Sequence, residues 1–183
     1  MAVAALLLLP NLASAHIIPG DPHSFHDGFL HPLTGLDHLL AMLAVGLWAS
    51  QQRGRAVWQI PLAFVSVMAL GGLLGIAGAS IPGAELGIAL SVLILGGLVA
   101  SFARFTPALS MALVGFFALF HGYAHGREMP ASVGALPFSV GFMASTLLLH
   151  GAGLATGFYM RNQKAVRWAG ATIALSGLCL LAV

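Results

Sequence analysis

Apolar residues fall into six long runs with short polar breaks between them, at about Leu33 to Ser50, Val57 to Ile81, Glu85 to Phe102, Pro107 to Gly126, Leu136 to Met160 and Val166 to Val183. Each run is close to the roughly 17 to 25 residues that a helix needs to cross a bilayer. None alternates apolar with polar at the period of two that a membrane β-barrel strand requires. The pattern predicts an all-α, polytopic membrane protein, a six-transmembrane-helix bundle over residues 33–183. Pro107 falls in the first turn of its helix, where a missing N–H costs nothing, and Gly126, ahead of Pro130, reads as a C-cap. The connections are short, so sequential helices should be antiparallel. Small residues four apart (Gly71 and Gly75, Gly97 and Ser101, Gly153 and Gly157) would let helix backbones approach closely in lipid. No three-plus-three inverted repeat is legible.

Two segments precede the bundle. Residues 1–15 combine a short apolar core with Ala13-Ser14-Ala15, the small-residue pattern of a cleaved secretory signal peptide, although no Lys or Arg precedes the core. Residues 16–32 then form a polar, histidine-rich outside segment.

Composition sharpens this picture. Only 7% of the 183 residues are charged, against about 25% in ordinary soluble domains, which excludes a water-soluble fold. The single cysteine, Cys179, cannot build a disulfide framework or a thiolate cage. A net charge of only +2 leaves no basic surface for nucleic acid. Six of the seven basic residues fall in loops on one side (Arg53, Arg55, Arg104, Arg161, Lys164 and Arg167). By the positive-inside rule that side is cytoplasmic, so the expected location is the bacterial inner membrane with a periplasmic N-terminus.

The eight histidines carry the chemistry, because imidazole is costly in lipid and usually marks a function there. His31-Pro32-Leu33-Thr34-Gly35-Leu36-Asp37-His38 opens the first run and places a carboxylate and an imidazole, Asp37 and His38, in the outer half of the membrane, with His31 just outside it. A helix-start Asp with an interfacial His is the bland alternative, weakened by finding three such groups together. His121 and His125 lie four residues apart on one helix face, each followed by glycine, and can grip one ion or, as the bland alternative, bond to neighbouring helices. The glycine after His121 excludes the zinc-protease pattern, which needs a Glu there. Glu128 follows within one turn of His125. His150 lies about 20 Å below the outer surface at roughly 1.5 Å per residue, as an inner ligand, a proton relay or a plain interhelical hydrogen-bonder. His16, His23, His26 and Asp27 add ligand-type side chains outside, and cleavage before His16 would free its amine as well. Imidazole and carboxylate without thiolate suit nickel, cobalt, zinc or divalent copper.

The stretch from His26 to Ala49 (HDGFLHPLTGLDHLLAMLAVGLWA), the FHGYAHG block from Phe120 to Gly126 and the GFMASTLLLHGAG block from Gly141 to Gly153 resemble the HupE/UreJ family of hydrogenase and urease accessory membrane proteins. The likeness runs the length of the chain. It implies a nickel (in some members cobalt) permease, with His31, Asp37, His38, His121 and His125 in the family's proposed metal positions, and Glu128 and His150 as further members.

The expectation is therefore a secondary transporter, not an enzyme, that takes up a divalent metal, nickel first, with cobalt, copper and zinc open. No cofactor is expected to be permanently bound. Its expected partners are the ion and the bilayer, with a homo-oligomer left open and nucleic acid excluded. Two other classes compete: a bis-histidine haem or electron-transfer membrane protein, and a non-transporting metal-binding accessory protein.

Overall fold

The computed structural model describes residues 24–129, 134–160 and 162–182, which form seven α-helices joined by short turns, without strands. These are α1 (Ser24–Thr34), α2 (Leu36–Ser50), α3 (Ala56–Ile76), α4 (Ala84–Ser101), α5 (Pro107–Glu128), α6 (Ala135–Tyr159) and α7 (Gln163–Leu181). Helices α3 to α7 are each long and apolar enough to cross a membrane; α1 and α2 qualify only as a pair, bent by 84° at Gly35. Residues 1–15, expected to be a signal peptide, lie outside the described residues, as do His16 and His23.

The break at Gly35 is the main departure from the expected single run of residues 33–50. Its backbone is extended (φ −89°, ψ 120°) and its carbonyl accepts from Leu39 N at 2.9 Å, so Gly35 starts α2. Upstream, residues 24–34 are helical although the sequence reads as a polar segment. Helix formation there rests on packing: Phe25 and Phe29 stack one turn apart, and Gly28 and Gly141 let the backbones of α1 and α6 touch. The polar His26 and Asp27 hide that stripe.

Helix ends differ in smaller ways. Helix α3 stops at Ile76 instead of Ile81 because Gly78 takes the left-handed conformation (φ 77°) that ends it. Gly126 is no C-cap: α5 continues to Glu128, and a Cβ on Gly126 would meet the Gly72 carbonyl of α3. Gly122 is similarly pressed on the Met68 carbonyl, and Gly71 and Gly75 press back from α3 onto α5. The glycine after each α5 histidine therefore serves close packing of α3 on α5. Gly46 with Gly153 joins α2 to α6, and Gly96 with Gly170 joins α4 to α7. The Gly97 and Ser101 pair plays no such part, since nothing approaches Gly97 and the Ser101 hydroxyl bonds back to its own helix.

Trp48, Ile60, Phe64, Met68 and Leu95 fill the interior, whereas Leu62, Leu70, Leu148 and Trp168 point outward, as side chains facing lipid would. At one end, Trp48 Nε1 donates to Ala103 O at 2.8 Å, Gln51 Nε2 to Val99 O at 3.0 Å and Arg104 Nε to Gln51 O at 2.8 Å. Arg167 donates to Ala100 O at that same end. The basic loops thus gather where the sequence puts them, with Arg161 outside the described residues. The opposite end carries Glu85 and Glu128 and a Tyr123 hydroxyl bond to Ala79 O at 3.0 Å.

Candidate metal centre

The bend at Gly35 turns the last turn of α1 and the first turn of α2 toward the last two turns of α5. Four imidazoles from three helices meet there. Ring centroids run in series, His31 to His125 at 4.5 Å, His125 to His38 at 4.2 Å and His38 to His121 at 4.6 Å. His38, His121 and His125 are buried, and His31 is half-buried.

Chemistry fixes the roles of several nitrogens. Asp37 Oδ1 accepts from the His38 backbone N at 2.7 Å and lies 2.9 Å from His38 Nδ1. A carboxylate is acceptor-only, so Nδ1 carries the hydrogen and Nε2 keeps its lone pair. This is the carboxylate–histidine arrangement that orients metal ligands and raises their basicity. That lone pair faces His125 Nε2 at 2.5 Å. Two imidazole nitrogens so placed must share a hydrogen, or part slightly to share a cation. At bond lengths of roughly 2.0–2.1 Å, two neighbouring ligand nitrogens on one ion stand about 3 Å apart.

The other edge of His125 looks outward. Its Nδ1 has no hydrogen bond and lies 3.9 Å from Glu128 Oε2. Ligand atoms of His31, His125 and Glu128 all fall within 4.8 Å of one another, a spacing one ion could bridge. Glu128 is well exposed, so this trio forms a rim and the His38/His121/His125 group lies beneath it.

Farther in, Phe64 of α3 separates two stations: its ring centroid is 5.7 Å from His121 and 5.2 Å from His150. His150 is 1% exposed, yet neither ring nitrogen has a partner, and Ser145 Oγ nearby along α6 is likewise unpaired. Leaving a buried polar group unsatisfied costs about 1–3 kcal/mol, so these atoms call for a visiting ligand or water.

Of the residues singled out from sequence, the structure gathers His31, Asp37, His38, His121, His125 and Glu128, and sets His150 one aromatic ring deeper. His26 stays apart, exposed beside Asp27 at 3.9 Å. Sequence reasoning missed Phe64, an ordinary apolar residue in an apolar run, and Ser91 of α4, whose Oγ lies 2.8 Å from His121 Nε2. A serine in the middle of the apolar stretch of α4 was the available signal. A mainly apolar cavity of about 370 Å³ between α3, α5 and α6 reaches the His125 side of the cluster past Met68, Gly72 and Phe142.

The family profile described as HupE / UreJ protein matches residues 4–180. A curated relative, Protein HupE of Rhizobium leguminosarum bv. viciae, is 46% identical over 185 residues, covering 97% of this chain and 94% of the relative. No solved structure matches.

Proposed function

Because the chain belongs to the HupE/UreJ family, we propose that it is a permease of the bacterial inner membrane that takes up a divalent transition metal, nickel first, from the periplasm for hydrogenase or urease maturation. The observation that carries this reading is the convergence of four imidazoles from α1, α2 and α5 below an exposed carboxylate, beside a fifth imidazole with no partner.

In this account the chain crosses the membrane six times, with α2 as a short crossing and α1 bent across its outer end. Residues 1–15 act as a signal peptide, and the histidines that follow, His16 among them, raise the local concentration of metal. His31, His125 and Glu128 take the ion at the rim. His38, His121 and the second nitrogen of His125 then replace part of its water shell, with Asp37 holding His38 in its ligating form. Passage beyond Phe64 brings the ion to His150. Imidazole binds metal only when neutral, so protonation releases the ion. The inner end is tied shut by the Trp48, Gln51 and Arg104 hydrogen bonds, and release requires these to part.

The geometry favours a bare ion over a haem. Axial imidazoles of a haem stand on opposite faces of a macrocycle, and Nε2 atoms 2.5 Å apart leave no room for one. The test is uptake of radioactive nickel into cells with and without the protein, repeated with His38→Ala. Protein-dependent uptake that the substitution abolishes is the expected result; uptake that is the same with or without the protein removes the permease reading.

A further inference from the structure

Helix α4 contributes no imidazole or carboxylate to the cluster, yet it reaches the cluster through one hydroxyl. Ser91 Oγ is fully buried, lies 2.6 Å from the carbonyl oxygen of Ile88 one turn earlier, and 2.8 Å from His121 Nε2. A hydroxyl has one hydrogen and two lone pairs. The carbonyl can only accept, and its contact is the shorter of the two, so the hydroxyl hydrogen is assigned to Ile88 and toward His121 the oxygen accepts. His121 must then carry its hydrogen on Nε2. Its other nitrogen, Nδ1, is buried without a partner, with the His38 ring at 4.6 Å edge to face.

We propose that Ser91 is a positioning residue of the metal path: it holds His121 in the Nε2–H form, so that Nδ1 is the atom offered to the ion. Two histidines of one cluster are thereby set in opposite tautomers by two different partners. Asp37 holds the hydrogen of His38 on Nδ1 and frees Nε2; Ser91 holds the hydrogen of His121 on Nε2 and frees Nδ1. The two rings pack edge to face at 4.6 Å, and each then keeps one nitrogen free to ligate without a proton having to move first. The chain Ile88 C=O, Ser91 O–H, His121 N–H is also polarised in one sense, which strengthens each bond. This inference rests on the proposed metal path for its consequence, but the tautomer can be read without any metal.

The test uses full-length protein in detergent with ¹⁵N-labelled histidine. Long-range ¹H–¹⁵N spectra at mildly alkaline pH, with the His121 signals identified by their loss in His121→Gln, should show wild-type His121 wholly protonated at Nε2. In Ser91→Ala the same ring should become a mixture of the two tautomers. Nickel affinity, measured by calorimetric titration with nickel chloride, should fall about 10- to 100-fold in Ser91→Ala, the usual cost of losing a partner behind a metal ligand. Ser91→Thr, which keeps the hydroxyl, should restore both readings. Ser110→Ala, which removes an equally buried hydroxyl with no histidine partner, should leave the affinity unchanged. A wild-type His121 protonated at Nδ1 overturns the proposal, and so does a Ser91→Ala protein whose nickel affinity stays within twofold of wild type. If wild-type protein binds no nickel at all, the permease reading fails instead, and the wild-type tautomer still decides what Ser91 does.

Discussion

Asp37→Asn separates two ways in which the carboxylate could serve the site. In the structure Asp37 Oδ1 is engaged twice by His38, at 2.7 Å from the backbone N and 2.9 Å from Nδ1. An asparagine has nearly the same shape but no charge, and it can turn its NH₂ toward Nδ1. Either change weakens the hold on the Nδ1–H tautomer, and a turned amide drives the hydrogen to Nε2, the atom that faces His125. Loss of such an orienting partner costs about 10- to 100-fold in metal affinity, or roughly 1.4 to 2.7 kcal/mol. His38→Ala removes the ligand itself and should cost more. The assay is nickel titration of wild type, Asp37→Asn and His38→Ala under the same conditions, expecting affinities to fall in that order. Wild-type affinity in Asp37→Asn would show that the carboxylate orients nothing. An Asp37→Asn protein as weak as His38→Ala would make the carboxylate a direct ligand.

Three further outcomes follow from the geometry. Glu128→Gln, at the exposed rim, should raise the nickel concentration needed for half-maximal uptake while leaving the maximal rate nearly intact, as initial rates over a nickel series would reveal. His150→Leu should lower uptake while binding at the outer cluster persists, as uptake and nickel titration of the same variant would show. Gly122→Ala puts a Cβ against the Met68 carbonyl, a backbone atom that cannot swing away. Overpacking of this kind costs about 1–3 kcal/mol, and the melting temperature should drop accordingly.

The sequence discloses the five long helices and the common end of the basic loops because each depends on local quantities, namely hydropathy over one span and charge in one loop. The histidines are legible for the same reason: His121 and His125 share a face by helical period alone. The bend at Gly35 is not legible, since a lone glycine is tolerated within helices. What makes it a break is the packing of α1 on α6 through Gly28 and Gly141, a contact between segments more than a hundred residues apart. That bend is also what brings His31 to His125. Gly126 is misread as a cap for a related reason, because its purpose lies in the approach of Gly72 from another helix. Ser91 and Phe64 acquire meaning only from His121, which they meet across helix interfaces. Asp37 adds a finer case: its presence beside His38 is plain from sequence, but its orientation behind the ring, toward Nδ1, is not.

X-ray absorption at the nickel edge, recorded on full-length protein carrying one equivalent of nickel, bears most directly on the meeting of imidazoles at a single ion. The account predicts nitrogen neighbours near 2 Å with the outer-shell scattering of about three imidazole rings, reduced by one ring in His38→Ala. A spectrum of oxygen neighbours without imidazole scattering, unchanged by that substitution, would contradict it.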